Sequence, residues 1–384
     1  MLSLCLLCAA CGGNTFISPG GATIGGGDPS SSVAKVTVPS DGGAADLAQA
    51  GSATSTDTTQ TAAPVAADTA QAAAHPHTRC GWIDDEVGEA SFVAHASEFH
   101  WVHPRWYTIS SDGVSILTAN HPDLASILDA AKANDVRIAP LIDSLDVAYV
   151  RTMISDDAKR AAHVQALVDL VKTHGYAGID IDYEHLWSSV DRPGFLAFMT
   201  ALSTGLHAVG AELSMAAPGL VDDPKENAYD YVTLASVCDT LHVMGYDFHY
   251  YGGDHEGPLA PAGWIDAVFA HAQSTGHADK FMLGVANYGI SETWWGSART
   301  AAALCTTASA TTTDHMADCP YGDYASGRAL NCSSADYGQI WYEDVGSMEE
   351  KILIAQKYGA RGVTYWTIGD ELDGYFAMVR SHFP

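Results

Sequence analysis

Gly178-Ile-Asp180-Ile-Asp182-Tyr-Glu184 alternates apolar or aromatic side chains with acidic ones from Ile179 onward. Alternate side chains of a strand point to the same face, so Asp180, Asp182 and Glu184 share one face. Ile179, Ile181 and Tyr183 share the other. A β/α architecture covers the apolar face with helices and turns the carboxylates inward.

The segments around this strand repeat one unit. A helix begins near Ser155 or Asp156, carries the stripe Val164, Leu167, Val168 and Val171, and closes at Gly175. An earlier helix, 123–134, puts Leu124, Ile127, Leu128 and Ala131 on one face and leads into a strand over 136–142. Further strands fall at 176–184, 212–218, 240–247, 281–286 and 362–368, the last after a helix over 348–358 closed by Gly359. With strands near 80–83 and 100–109, eight β–α units result, and the expected fold is a (β/α)8 TIM barrel. A doubly wound sheet fits less well, because no Gly-rich phosphate turn follows the first strand. Residues from about 291 to 341 interrupt the rhythm between strands seven and eight. They read as a small, polar, strand-poor insertion on the catalytic face.

Three carboxylates inside a barrel are unfavourable unless protons are shared, because burial and like charge both oppose ionisation. Glu184 ends its strand at the C-terminal rim, where barrel active sites lie. Kept protonated, it is a candidate general acid. Side chains two apart on a strand stand about 6–7 Å apart and approach from one side. Most glycosidases instead place a carboxyl on each face of the sugar. A one-sided row suits a substrate that supplies its own nucleophile.

The row resembles the Asp-x-x-Asp-x-Asp-x-Glu signature of glycoside hydrolase family 18, the chitinase family, which is one of the recognised substrate-assisted exceptions. The resemblance covers about residues 79–384. It implies that Glu184 is the proton donor, that Asp182 orients and stabilises the substrate acetamido group, and that Asp180 shares the proton with Asp182. It also implies a retaining mechanism through an oxazolinium ion. Met244-Gly-Tyr246-Asp247 resembles the family's Met-x-Tyr-Asp, in which Tyr and Asp contact the acetamido group, and Trp366 resembles the Trp beneath the sugar. Tyr288 is a further candidate for substrate binding, with Trp101, Trp106, Trp187, Asn287, Trp294 and Trp295 as candidate cleft residues. Ala177 stands where the signature has its first Asp, which removes one usual partner of Asp180. The third strand ends Pro140-Leu-Ile-Asp-Ser144, not Ser-x-Gly-Gly, and Trp101-Val-His-Pro-Arg-Trp-Tyr107 is more similar to bacterial cell-wall and spore-cortex members. The implied substrate is a glycan containing N-acetylglucosamine: chitin, chitooligosaccharide or peptidoglycan. A non-catalytic carbohydrate-binding protein on the same barrel is the alternative. Ala177 favours it and Glu184 opposes it.

The chain has 384 residues, 47% of them hydrophobic, with 18 basic against 46 acidic side chains and a net charge of −28. Nucleic-acid binding needs clustered Lys and Arg and is not expected. Residues 1–11, MLSLCLLCAAC, form an apolar run ending in small residues before Cys11, which resembles a lipoprotein signal with Cys11 lipidated. Cys8 stands where Leu is usual and no Lys or Arg precedes the run; a cleaved secretory signal is the other reading. Residues 12–78 are Gly, Ser, Thr and Ala-rich with few aromatics, too polar to bury a core, and read as a flexible tether. Contact with a membrane is expected only through the lipid, in the cell envelope or outside it. Outside the apolar run 1–11 no CxxC spacing suggests zinc, no cofactor is expected, and the expected state is a monomer. Outside the signal, Cys80, Cys238, Cys305, Cys319 and Cys332 remain. A disulfide among the last three is expected in an oxidising compartment, with the pairing open.

Overall fold

The computed structural model describes residues 78–223, 226–253, 257–304, 308–311, 329–334 and 337–384. The expected signal with Cys11, all but the last residue of the expected tether, and the thiols of Cys305, Cys319 and Cys332 lie outside the described residues. Cys80 and Cys238 are free and buried.

Eight strands make the barrel: β1 (Arg79–Ile83), β2 (Trp101–Pro104), β3 (Leu141–Ser144), β4 (Gly178–Tyr183), β5 (Glu212–Pro218), β6 (Thr240–Met244), β7 (Phe281–Ala286) and β8 (Gly362–Trp366). Each is parallel to its neighbours, and β8 pairs with both β7 and β1. The ring closes through one stretch of chain. Arg137–Ile138 pairs with β2, Val102 opposite Ile138, and after Ala139-Pro140 the same stretch becomes β3 and pairs with β4, Leu141 opposite Asp180. Pro140 has no N–H to give a ladder, and the stretch changes neighbours there. Ala139 N donates to Val102 O at 3.1 Å just before the change, and Asp180 N donates to Pro140 O at 3.0 Å just after it.

The expected helices form where capping predicts. Asp157–His174 starts after Asp156, whose side chain accepts from the N–H groups of Ala158 and Lys159, and ends at Gly175, φ 72°. The strand expected over 100–109 breaks at Arg105-Trp106. Its second part, Tyr107–Ile109, pairs with β3 and forms a hairpin with Ile116–Thr118.

The segment between β7 and β8 differs from the expectation of a strand-poor insertion. It holds a five-stranded antiparallel sheet, in the order Trp295–Ser297, Tyr288–Ile290, Gly338–Tyr342, Ala329–Ser334, Ala308–Thr311, with a helix at Ala298–Leu304. Short strands with one solvated face carry a weak periodic signal, and the pairing Ile290↔Trp341 joins strands far apart in the sequence. Tyr288, Ile290 and Trp341 from this sheet pack with Met244, Tyr246 and Ala286, so the insertion stands over the β6–β7 side of the barrel.

Inside the ring the side chains stack in layers. Cys80, Trp101, Ala139 and Met282 fill the bottom, with Ala177 against them. Trp82, Leu141 and Ala216 lie above, packed with Trp366. Outside, β4 buries Ile179, Ile181 and Tyr183 against the helical layer. His163, from Asp157–His174, locks this outer face. Its Nε2 accepts from the Tyr183 hydroxyl at 2.6 Å, and its Nδ1 donates to Val114 O at 2.8 Å.

Burial holds the His163 imidazole down at about 4, below its ordinary 6.5. The unfolded chain therefore takes up a proton that the folded chain refuses. Stability contributed by neutral His163 is complete above pH 6.5 and is lost as pH falls toward 4, by about 3 kcal/mol. Urea unfolding of the wild type should show this fall, and His163→Gln should flatten it. Parallel pH curves for the two proteins would refute the assignment.

Candidate active site

Asp180 is fully buried at the centre of the barrel. Its Oδ2 accepts from Trp82 Nε1 at 2.7 Å and its Oδ1 from Ser214 Oγ at 2.6 Å, so β1 and β5 both hold it. His103 of β2 and His242 of β6 approach it to 4.0 and 3.9 Å. Burial pushes the Asp180 carboxyl up, while His103, Ser214 and Trp82 draw it back. Gly178 permits the close approach of β4 to β5, since a Cβ there would lie 2.4 Å from Glu212 O.

Ala177 lies in the apolar bottom layer, beside Cys80, Trp101, Ala139 and Met282. A carboxylate at that position would face this apolar packing. Asp180 takes its donors from Trp82 and Ser214 instead.

Asp182 lies one step nearer the rim, and its Oδ1 has no hydrogen-bond partner among the described residues. Burial pushes its carboxyl well above the ordinary range, and Glu184, Asp143 and Asp180 push it further; Arg105 opposes them. Glu184 follows the last residue of β4, 7% exposed, and its N–H donates to Ser144 O at 3.2 Å. His185, in the left-handed region at φ 64°, brings its Nε2 to 3.9 Å from Glu184 Oε2.

The distant candidates converge on the same space. Trp366 of β8, on the wall opposite β4, sets its ring edge-to-face with Trp82 at 5.7 Å. Trp82 therefore links Trp366 to Asp180. Met244, Tyr246 and Tyr288 are buried together, with Trp366 against them. Gly284 leaves room for the Tyr246 ring, because a Cβ there would be 2.5 Å from Val243 O and 3.3 Å from Tyr246 Cε1. Asp247, at φ 60°, accepts a short hydrogen bond from the Tyr288 hydroxyl. Burial raises its carboxyl to about 7 against that bond.

Several aromatic candidates lie elsewhere. Trp101 is in the bottom layer, and Trp106 is buried against Tyr176 at 6.0 Å. Neither is accessible to a sugar. Trp187 packs edge-on against Tyr229 at 5.3 Å, and buried Asn287 donates to Thr367 O at 3.0 Å. Trp294 packs near Tyr337, whereas Trp295 is 53% exposed beside Tyr288.

Sequence reading missed Trp82, His103, His242 and Ser214 around Asp180, and a rim group of Asp143, Arg105 and Asp84. Alternation along β1, β2 and β6 was the available signal: Cys80 and Trp82, Trp101 and His103, and Thr240 and His242 are pairs two apart. His103, Asp180 and His242 are the one set among the described residues whose donor atoms are close enough to hold a metal ion. Both Asp180 oxygens already accept from protein donors, and His103 Nδ1 donates to Ala139 O at 3.0 Å.

Residues 128–371 match the family model described as glycosyl hydrolases family 18. YdhD of Bacillus subtilis (strain 168), which carries the name sporulation-specific glycosylase, is 27% identical over 282 residues, 68% of this chain and 67% of that protein. The cortical fragment-lytic enzyme of the same organism is 23% identical over 57% of this chain and 52% of its own length. Among solved structures, the chitinase from Chromobacterium violaceum ATCC 12472 superposes with a TM-score of 0.69 at 20% identity, covering 80% of this chain and 98% of that one.

Proposed function

The chain belongs to glycosyl hydrolases family 18 and is a glycosidase related to chitinases and spore cortex-lytic enzymes, and from that premise we propose that it cleaves β-linked glycans next to N-acetylglucosamine by substrate-assisted catalysis. Glu184 gives its proton to the glycosidic oxygen as the C1–O bond breaks. The acetamido carbonyl oxygen attacks C1 from the other face, forming an oxazolinium ion. Asp182 accepts from the acetamido N–H, and Tyr246 and Asp247 hold the same group. Glu184 then takes a proton from water, which attacks C1 and restores the β configuration. Trp366 offers an aromatic plate to the sugar's C–H face.

One observation carries this reading. Asp180, Asp182 and Glu184 form a single buried row along and just past β4, with Asp182 between the other two. Such a row approaches a sugar from one side only, which suits an internal nucleophile. Chitin oligomers and peptidoglycan fragments, digested side by side and resolved by mass spectrometry, should yield products with N-acetylglucosamine at the new reducing end. Proton NMR should show the β-anomer appearing first. An α-anomer first, or binding without turnover, would refute the reading, and the latter would support a carbohydrate-binding protein.

The apolar run 1–11 supports a lipid on Cys11 and residues 12–78 a tether to the cell envelope, where such glycans lie outside the membrane. Among the described residues no helix is long and apolar enough to cross a membrane.

A further inference from the structure

The catalytic row has a neighbour that the family signature does not contain. Asp143 of β3 is the register partner of Asp182 of β4. Paired residues on adjacent parallel strands point to the same face, about 4.8 Å apart at the backbone. Both are inward and buried. Two carboxylates this close do not both ionise without support.

Their support is unequal. Arg105 Nε donates to Asp143 Oδ2 at 2.8 Å, and the other end of the guanidinium forms a short ion pair with Asp84. Asp180 is held by Trp82 and Ser214. Asp182 Oδ1 has no donor among the described residues. Hydrogen-bond donors thus hold the carboxyls on either side of Asp182.

We propose that Asp143, held by Arg105, is a positioning residue that places the site's mobile proton on Asp182, ready to be shared with Glu184. This rests on the family 18 reading of Glu184 and Asp182 and assigns a further residue to that site. The groups facing Asp182 are Asp180 and Glu184 from its own strand, Asp143 from β3, Arg105 from the segment after β2, and Tyr229, whose hydroxyl donates to Tyr183 O at 2.8 Å. Only Arg105 among them is cationic. The sign of each change follows. Removing the charge of Asp143 weakens the hold on the proton, and removing the charge of Arg105 strengthens it.

The test measures kcat/KM against pH for the full chain and for Asp143→Asn and Arg105→Gln. Asp143→Asn should move the alkaline limb down by about one pH unit or more, and Arg105→Gln should move it up. A merely structural role would lower activity without opposite shifts. Limbs that stay in place, or move in the same direction, overturn the proposal. The infrared band of a protonated carboxyl, identified by its loss in Asp182→Asn, gives the same midpoints without turnover. Opposite infrared shifts in a wild type that cleaves neither glycan would sustain the proton placement and sink the glycosidase reading. An active wild type with unmoved midpoints would do the reverse.

Discussion

Glu184→Gln should lower kcat by about 10²–10⁴-fold or more while oligosaccharide affinity changes by only a few-fold. Glutamine keeps the shape of the side chain and the backbone bond to Ser144 O. It cannot give up a proton to a leaving oxygen or take one from water. Both halves of the proposed cycle stop. The folded state should not suffer, because Glu184 is among the groups that push the Asp182 carboxyl up, and its removal relieves like-charge repulsion in a buried site. The melting temperature at pH 7 should hold or rise. Turnover within tenfold of wild type would exclude Glu184 as the acid. A matching loss of affinity would point to a binding role.

A second large effect is expected in an ion pair outside the catalytic row. Glu343 and Lys351, both nearly inaccessible, form a short ion pair in which the helix Val345–Lys357 supplies the lysine. Burial pushes the Glu343 carboxyl up, and Lys351 draws it back. Lys351→Met removes the cation and leaves a buried charge. The cost should be about 3–5 kcal/mol at pH 7. Protonation of Glu343 provides an escape at low pH, so the loss should shrink as pH falls. The double variant Glu343→Leu, Lys351→Met should recover most of the stability, because an apolar pair of similar volume avoids desolvation. Denaturant titrations of the wild type, Glu343→Leu, Lys351→Met and the double variant form the cycle. A loss under 1 kcal/mol in Lys351→Met would show that the pair is neutral in effect.

The barrel was legible because each β–α unit announces itself locally. Asp156 and Gly175 bound a helix by capping chemistry, and the row from Asp180 to Glu184 declares its inner face by alternation. The partners of those carboxylates were not legible in the same way. Trp82 meets Asp180 across 98 positions of sequence, and Arg105 meets Asp143 across 38. Such meetings follow from how strands stagger when the ring closes, and periodicity carries no record of the stagger. Trp101 shows the converse failure. An aromatic in a sugar-cleaving barrel resembles a stacking plate, yet its height along β2 puts it under the site. The antiparallel insertion escaped because its strands are short and one pairing, Ile290 opposite Trp341, spans a long stretch of sequence.

The closed ring also ties folding to activity. Strand β4 has a hydrogen-bonded neighbour on each side, Leu141 opposite Asp180 and Asp180 opposite Ser214. Shifting it by a single residue would expose Ile179, Ile181 and Tyr183 to the lumen and drive three acids into the greasy layer beneath the helices. A misaligned yet compact isomer is therefore too unfavourable to persist. Molecules recovered after denaturation should divide into fully competent and collapsed ones, with no well-ordered inactive species between.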